Sequence, residues 1–201
     1  MIRNVIFDMG NVMLRFEPER FMTVVGVTDE QDRKILYREI YDSIEWAMMD
    51  RGTLTDEEAS EIIMTRVPEH LKDKVDMLVG NWDRPIIPVK GMEELVKELK
   101  EKGYGIYLLS NASLRQPKYW DSVPGNEYFD GTMVSAYEKL VKPQPEIYIR
   151  FLERFKLKAE ECIFIDDSKV NAEGAIFCGI QSIVFHDDME ELREKLSQIL
   201  G

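Results

Sequence analysis

Short apolar runs recur along the chain, separated by segments whose apolar residues repeat with the period of a helix. Val5-Ile6-Phe7, Tyr104-Gly105-Ile106-Tyr107-Leu108-Leu109, Thr132-Met133-Val134, Cys162-Ile163-Phe164-Ile165 and Ser182-Ile183-Val184-Phe185 have the length and composition of buried strands. Met92, Leu95, Val96 and Leu99 put one apolar face on a predicted helix that ends at Gly103. Ile147, Tyr148, Phe151, Leu152 and Phe155 do the same for one opened by Pro145. A shorter predicted helix runs from Ala172 to Phe177 before Gly179, and a last one from Met189 to Leu200. Strands alternating with crossover helices predict an α/β protein with an open parallel sheet.

After the first apolar run the pattern changes. From Glu17 to Asp83 no strand-like run occurs, but several helical patterns do. Among them Thr55-Asp56-Glu57-Glu58 is a capping box that opens a segment from Ala59 to Val67. Pro85, Pro88 and Gly91 mark a return to the first pattern. The expected organisation is a core of residues 1–16 and 84–201 with a helical cap, residues 17–83, inserted after the first strand. Trp46, Met48 and Met49 belong to that cap, either lining a substrate pocket or forming the cap's own core.

Composition narrows the function. With 201 residues, 44% of them hydrophobic, the chain can build a sizeable core. Its 26 Lys and Arg against 38 Asp and Glu leave a net charge of −12, which argues against nucleic acid as a partner. Cys162 and Cys178 sit in apolar surroundings and read as buried free thiols, and His70 and His186 lie in charged stretches expected at the surface. No signal-length apolar segment precedes Asp8 and no run reaches bilayer length, so no membrane association is expected and the predicted setting is cytoplasmic. Oligomeric state is not legible.

In parallel α/β sheets ligands bind at the carboxyl ends of the strands, and here those ends are chemically loaded. The first run enters Asp8-Met9-Gly10-Asn11, the second Ser110-Asn111-Ala112-Ser113, and the fourth Asp166-Asp167-Ser168; Lys139-Leu140-Val141-Lys142-Pro143 precedes the helix at Pro145. Asp8, Asp166 and Asp167 at neighbouring strand ends would repel one another unless a hard cation, most plausibly Mg²⁺, sat among them. A carboxylate held there can attack a phosphoryl group and form an acyl phosphate that water hydrolyses. Ser110 and Asn111 would donate hydrogen bonds to phosphoryl oxygens, and Lys142 would neutralise the charge shared by phosphate and Asp8.

The order of these four motifs resembles the haloacid dehalogenase superfamily of phosphohydrolases over essentially the whole chain. The likeness is to the subgroup with a small helical cap on a Rossmann-like core, and the Phe-Asp-x-Gly-Asn-Val form is similar to bacterial α-D-glucose-1-phosphate phosphatases. It implies Asp8 as nucleophile and metal ligand, the Gly10 carbonyl as a second ligand and Asp167 as a third, with Asp166 beside it. It further implies Ser110, Asn111 and Lys142 at the phosphate, Mg²⁺ as cofactor and a small phosphorylated metabolite as substrate.

One position departs from that pattern. The usual first motif carries a second Asp two residues after the nucleophile, as the acid that protonates the leaving oxygen; here Gly10 stands there. A positioned acid contributes roughly 10² to 10⁴ in rate. Its absence favours a substrate whose leaving oxygen departs readily, such as a glycosyl 1-phosphate, or requires a cap acid such as Asp42, Glu45 or Asp50. Gly10 also leaves open a protein that binds a phosphometabolite without hydrolysing it. A 2-haloacid dehalogenase, which needs no metal, fits the Asp166-Asp167 pair less well.

Overall fold

The computed structural model describes residues 1–81 and 85–201. Five strands, β1 (Asn4–Phe7), β2 (Gly105–Ser110), β3 (Gly131–Val134), β4 (Cys162–Asp166) and β5 (Gln181–Val184), form one sheet in the order β3-β2-β1-β4-β5. Every pairing is parallel. All five predicted strands are present, with ends displaced by one residue or so.

Parallel strands must be covered on both faces, and alternate side chains divide accordingly. Val5, Phe7, Ile106, Leu108, Ile163 and Ile165 join a cluster with Leu95 and Leu99 of one helix and Leu192 and Leu196 of another. Ile6, Leu109, Met133 and Phe164 face the other way, onto Ile147, Tyr148 and Phe151. The result is a three-layer Rossmann-like architecture.

Between β1 and β2 the chain forms helices α1 (Pro18–Val24), α2 (Glu30–Leu36), α3 (Ile44–Asp50), α4 (Asp56–Met64) and α5 (Lys72–Asn81), with a wider helical turn at Tyr37–Tyr41. They share a hydrophobic cluster of their own, including Phe21, Leu36, Ile40, Met49, Ile63 and Leu78. The two chain segments that join them to the sheet run side by side: Arg15 N donates to Ile87 O at 2.7 Å and Val89 N to Met13 O at 3.0 Å. The expected boundary at Asp83 and Arg84 lies outside the described residues.

After this segment come α6 (Met92–Glu101), α7 (Gln116–Trp120), α8 (Ser135–Glu138), α9 (Pro145–Phe155), α10 (Lys169–Phe177) and α11 (Met189–Leu200). The predicted helix from Ala172 begins at Lys169, because the Ser168 hydroxyl accepts from Asn171 N and caps it. The predicted segment Ala59 to Val67 is α4, which starts earlier, at Asp56 directly after its cap Thr55, holds Glu58 of the capping box in its first turn and stops at Met64. Cys162 is buried, whereas Cys178, at the exposed end of α10, is only half-buried; both are free thiols. Among the described residues no helix is long and apolar enough to cross a membrane.

Candidate active site

Asp8 leaves β1 between its two neighbours, and its backbone N–H donates to Ile165 O at 2.9 Å. The chain builds outward from β1 first through β2 and β3, then on the opposite side through β4 and β5. That reversal opens a crevice above the carboxyl ends of β1 and its neighbours. Lys142 enters it from the loop before α9. Its buried ammonium lies 2.7 Å from Asp8 Oδ1 and 2.7 Å from Asp166 Oδ2, over the face of Phe164.

Asp166 has no solvent exposure, and protein donors already engage its oxygens: Lys142 Nζ, Ser168 N at 2.8 Å and Asn171 Nδ2 at 3.1 Å. Asp167 is the more open of the pair and accepts one hydrogen bond, from Asn11 Nδ2 at 2.9 Å. Asn11 adopts a left-handed backbone (φ 53°), which Asn tolerates better than most residues, and its Oδ1 accepts from Phe16 N at 3.1 Å. Asn11 was not among the residues singled out from sequence. Only the fold brings it to Asp167.

The expected phosphate donors are placed differently from one another. Asn111 lines the crevice, but its amide clamps Lys142: Oδ1 accepts from Lys142 N at 2.8 Å and Nδ2 donates to Lys142 O at 3.1 Å. Ser110 is buried at the end of β2, below the cavity lining, where Asn111, Ala112 and Ser113 stand instead.

Three carboxylates face one ammonium, so the site carries two uncompensated negative charges when all are ionised. Burial pushes Asp8 up to about 7 against the pull of Lys142, with Asp166 adding to the rise. Burial likewise raises Asp167. Oxygen atoms of Asp8, Asp166 and Asp167 lie within 4.8 Å of one another, so the cluster is able to hold a metal ion. Hard oxygen donors with this charge deficit fit a divalent cation such as Mg²⁺.

A cavity of about 190 Å³ opens onto this cluster. Trp46, Met49 and Asp50 close it from α3, and Phe16 and Val79 add further apolar wall. Trp46 and Met49 thus serve both roles considered from sequence, since they also pack in the helical cluster; Met48 does not line the cavity. Of the acids considered from sequence, Glu45 does not line the cavity and accepts from both terminal guanidinium nitrogens of Arg66 at 2.8 and 2.7 Å, and Asp42 is exposed outside the cavity lining. Asp50 reaches the cavity because the chain there is held against α8 and the residue that follows it. Ser135 Oγ donates to Asp50 O at 2.5 Å, Lys139 Nζ donates to Gly52 O, and a Cβ on Gly52 (φ 68°) would overlap the carbonyl of Ala136.

The family model of haloacid dehalogenase-like hydrolases matches residues 2–179. The chain belongs to this family. It is 26% identical to a sesquiterpene phosphatase of Aspergillus oryzae, over 98% of this chain and 95% of that protein. It is 27% identical to a phosphorylated carbohydrates phosphatase of Thermotoga maritima, over 89% of this chain and 82% of that one. A solved HAD family enzyme of Bacteroides thetaiotaomicron, in complex with magnesium and inorganic phosphate, superposes with a TM-score of 0.71 at 25% identity, over 96% of this chain and 99% of its own. Neither phosphatase is named for glucose 1-phosphate itself, so the likeness extends to phosphatases and not to that one substrate.

Proposed function

We propose that this hydrolase is a magnesium-dependent phosphatase of small phosphate monoesters, with Asp8 as nucleophile. The observation that carries the reading is the convergence of Asp8 and Asp167 on one cavity, with the buried Lys142 ammonium bonded to Asp8. Asp8, the Gly10 carbonyl and Asp167 would hold the ion; Asp166, whose oxygens are engaged, would instead orient Lys142. When bound, Mg²⁺ supplies positive charge that keeps Asp8 ionised and attracts the phosphoryl oxygens. Lys142 balances charge on Asp8 and the transferring group, and Asn111 fixes Lys142 while lending its remaining N–H to phosphate. Asp8 Oδ attacks phosphorus, the bond to the ester oxygen breaks, and water hydrolyses the aspartyl phosphate.

The division into a core of residues 1–16 and 84–201 and a cap of residues 17–83 is part of the proposal. The separate hydrophobic cluster of α1 to α5 and the paired connections at Met13–Val89 and Arg15–Ile87 support it. The cap then supplies the substrate wall.

Sugar phosphates are the first proposed substrates, supported by the likeness to the Thermotoga enzyme and by Phe16 and Trp46, packed 5.6 Å apart, as a platform for a sugar face. A second reading, phosphate esters of apolar alcohols, is favoured by the Leu14, Phe16, Trp46, Met49 and Val79 wall and by the likeness to the sesquiterpene phosphatase. Phosphate release would be measured with Mg²⁺ from glucose 1-phosphate, other sugar phosphates and a sesquiterpenyl phosphate. Turnover in wild type and its loss in Asp8→Asn are expected; equal rates in the two proteins on every ester would reject the proposal.

A further inference from the structure

The cavity holds four carboxyl side chains, and three of them are engaged. Asp8 is bonded to Lys142, Asp167 to Asn11, and Asp56 faces Arg115 at 3.5 Å. Asp50 lines the same cavity, and its carboxyl has no hydrogen bond or ion pair among the described residues. Only its backbone carbonyl is tied down, by Ser135. Gly10, the position at which the family pattern places a proton donor, lines the same cavity, and a Cβ there would meet no atom within 4 Å. Gly10 is also outside the left-handed φ region, so neither space nor backbone explains the missing side chain.

We propose that Asp50, delivered from the end of α3, is the proton donor and acceptor that takes the place of the side chain absent at Gly10. This rests on the phosphatase reading above. In the first step Asp8 Oδ bonds to phosphorus, the ester P–O bond breaks, and the leaving oxygen takes the electron pair and the Asp50 proton. In the second step the Asp50 carboxylate takes a proton from water as its oxygen bonds to phosphorus. The P–O bond to Asp8 breaks and its electron pair returns to the Asp8 carboxylate. The sum is ester and water in, alcohol and phosphate out, with both side chains restored.

The setting suits both halves. Burial raises the Asp50 carboxyl to about 7, with Lys142 drawing it back down, so both protonation states are accessible at neutral pH. With a donor in place, the leaving group no longer has to be an intrinsically good one. The preference for a glycosyl 1-phosphate inferred from Gly10 loses its basis, and the cavity wall becomes the determinant of substrate.

The test compares wild type, Asp50→Asn and the double variant Gly10→Asp/Asp50→Asn, all with Mg²⁺, on p-nitrophenyl phosphate and a simple alkyl phosphate. Asp50→Asn is expected to lose about 10²-fold or more on the alkyl ester. On p-nitrophenyl phosphate, whose leaving oxygen needs no proton, it should release close to one equivalent of nitrophenolate per site in a burst before slow turnover, as the aspartyl phosphate accumulates. The double variant, which the space at Gly10 accommodates, should regain at least tenfold on the alkyl ester. Equal losses on both esters without a burst would mark Asp50 as merely structural and overturn the inference, as would full alkyl activity in Asp50→Asn. Absence of wild-type turnover on both esters would reject the phosphatase reading itself, a different result from either.

Discussion

Lys142 Nζ stands 2.7 Å from Asp166 in a pair with no solvent exposure on either side chain. Removing one partner of such a pair strands a buried charge and costs about 3–5 kcal/mol. Lys142→Met is therefore expected to lose about that much stability, read from urea unfolding without metal, together with catalytic activity. Asp166→Asn, which keeps the shape and one acceptor, should be milder in stability. A Lys142→Met protein as stable as wild type would show that the buried pair is dispensable to the fold.

Gly52 is the second structural commitment. A left-handed residue with a Cβ costs about 1–2 kcal/mol, and the overlap with Ala136 O adds a further ~1–3 kcal/mol unless α3 shifts away from α8. Gly52→Ala should lower the melting temperature and displace Asp50. Loss of alkyl phosphate turnover should then exceed loss of Mg²⁺ binding, measured by calorimetry on the same protein.

Metal linkage gives an assay independent of turnover. A cation that binds only the folded state at 100 times its Kd adds about 2.7 kcal/mol. For a chain of this size that corresponds to a rise of roughly 5–10 °C in Tm. Wild type should show such a rise with saturating Mg²⁺, and Asp167→Ala should abolish it; an unchanged rise in Asp167→Ala would remove Asp167 from the ligand set.

Glu45 predicts an acid limb to the stability profile. Hydrogen bonds from Arg66 hold its carboxyl below the ordinary value of 4.5. In that range the unfolded chain binds more protons than the folded one, so the pair's stabilisation is complete above about pH 4.5 and is lost as pH falls below it. Unfolding free energies from pH 3 to 7 should show Glu45→Gln less stable than wild type near neutrality, with the gap narrowing in acid. A gap that widens in acid would have the wrong sign.

Much of the fold was legible because two periodicities do not overlap. Pro145 at a first turn followed by inward Ile147, Tyr148 and Phe151 could only be an amphipathic helix, and α9 covers that span. Val5-Ile6-Phe7 and Cys162-Ile163-Phe164-Ile165 are too apolar for a half-exposed strand, which places them at the centre of a parallel sheet. Short α7 and α8 were not legible, since one turn of helix carries too few residues to display a period.

The local sequence also determined which residues end the strands, and so which chemistry reaches the crevice, because a residue following a buried run has nowhere else to emerge. What it could not determine is who partners whom. Asn111 as a clamp on Lys142, Asn11 as a brace for Asp167, Asp166 saturated by protein donors and Asp50 with no side-chain hydrogen bond or ion pair among the described residues all depend on how residues far apart in the chain are brought together. A carboxyl group's type is written in the chain, but its proton affinity and its free lone pairs come from what the folded protein packs around it.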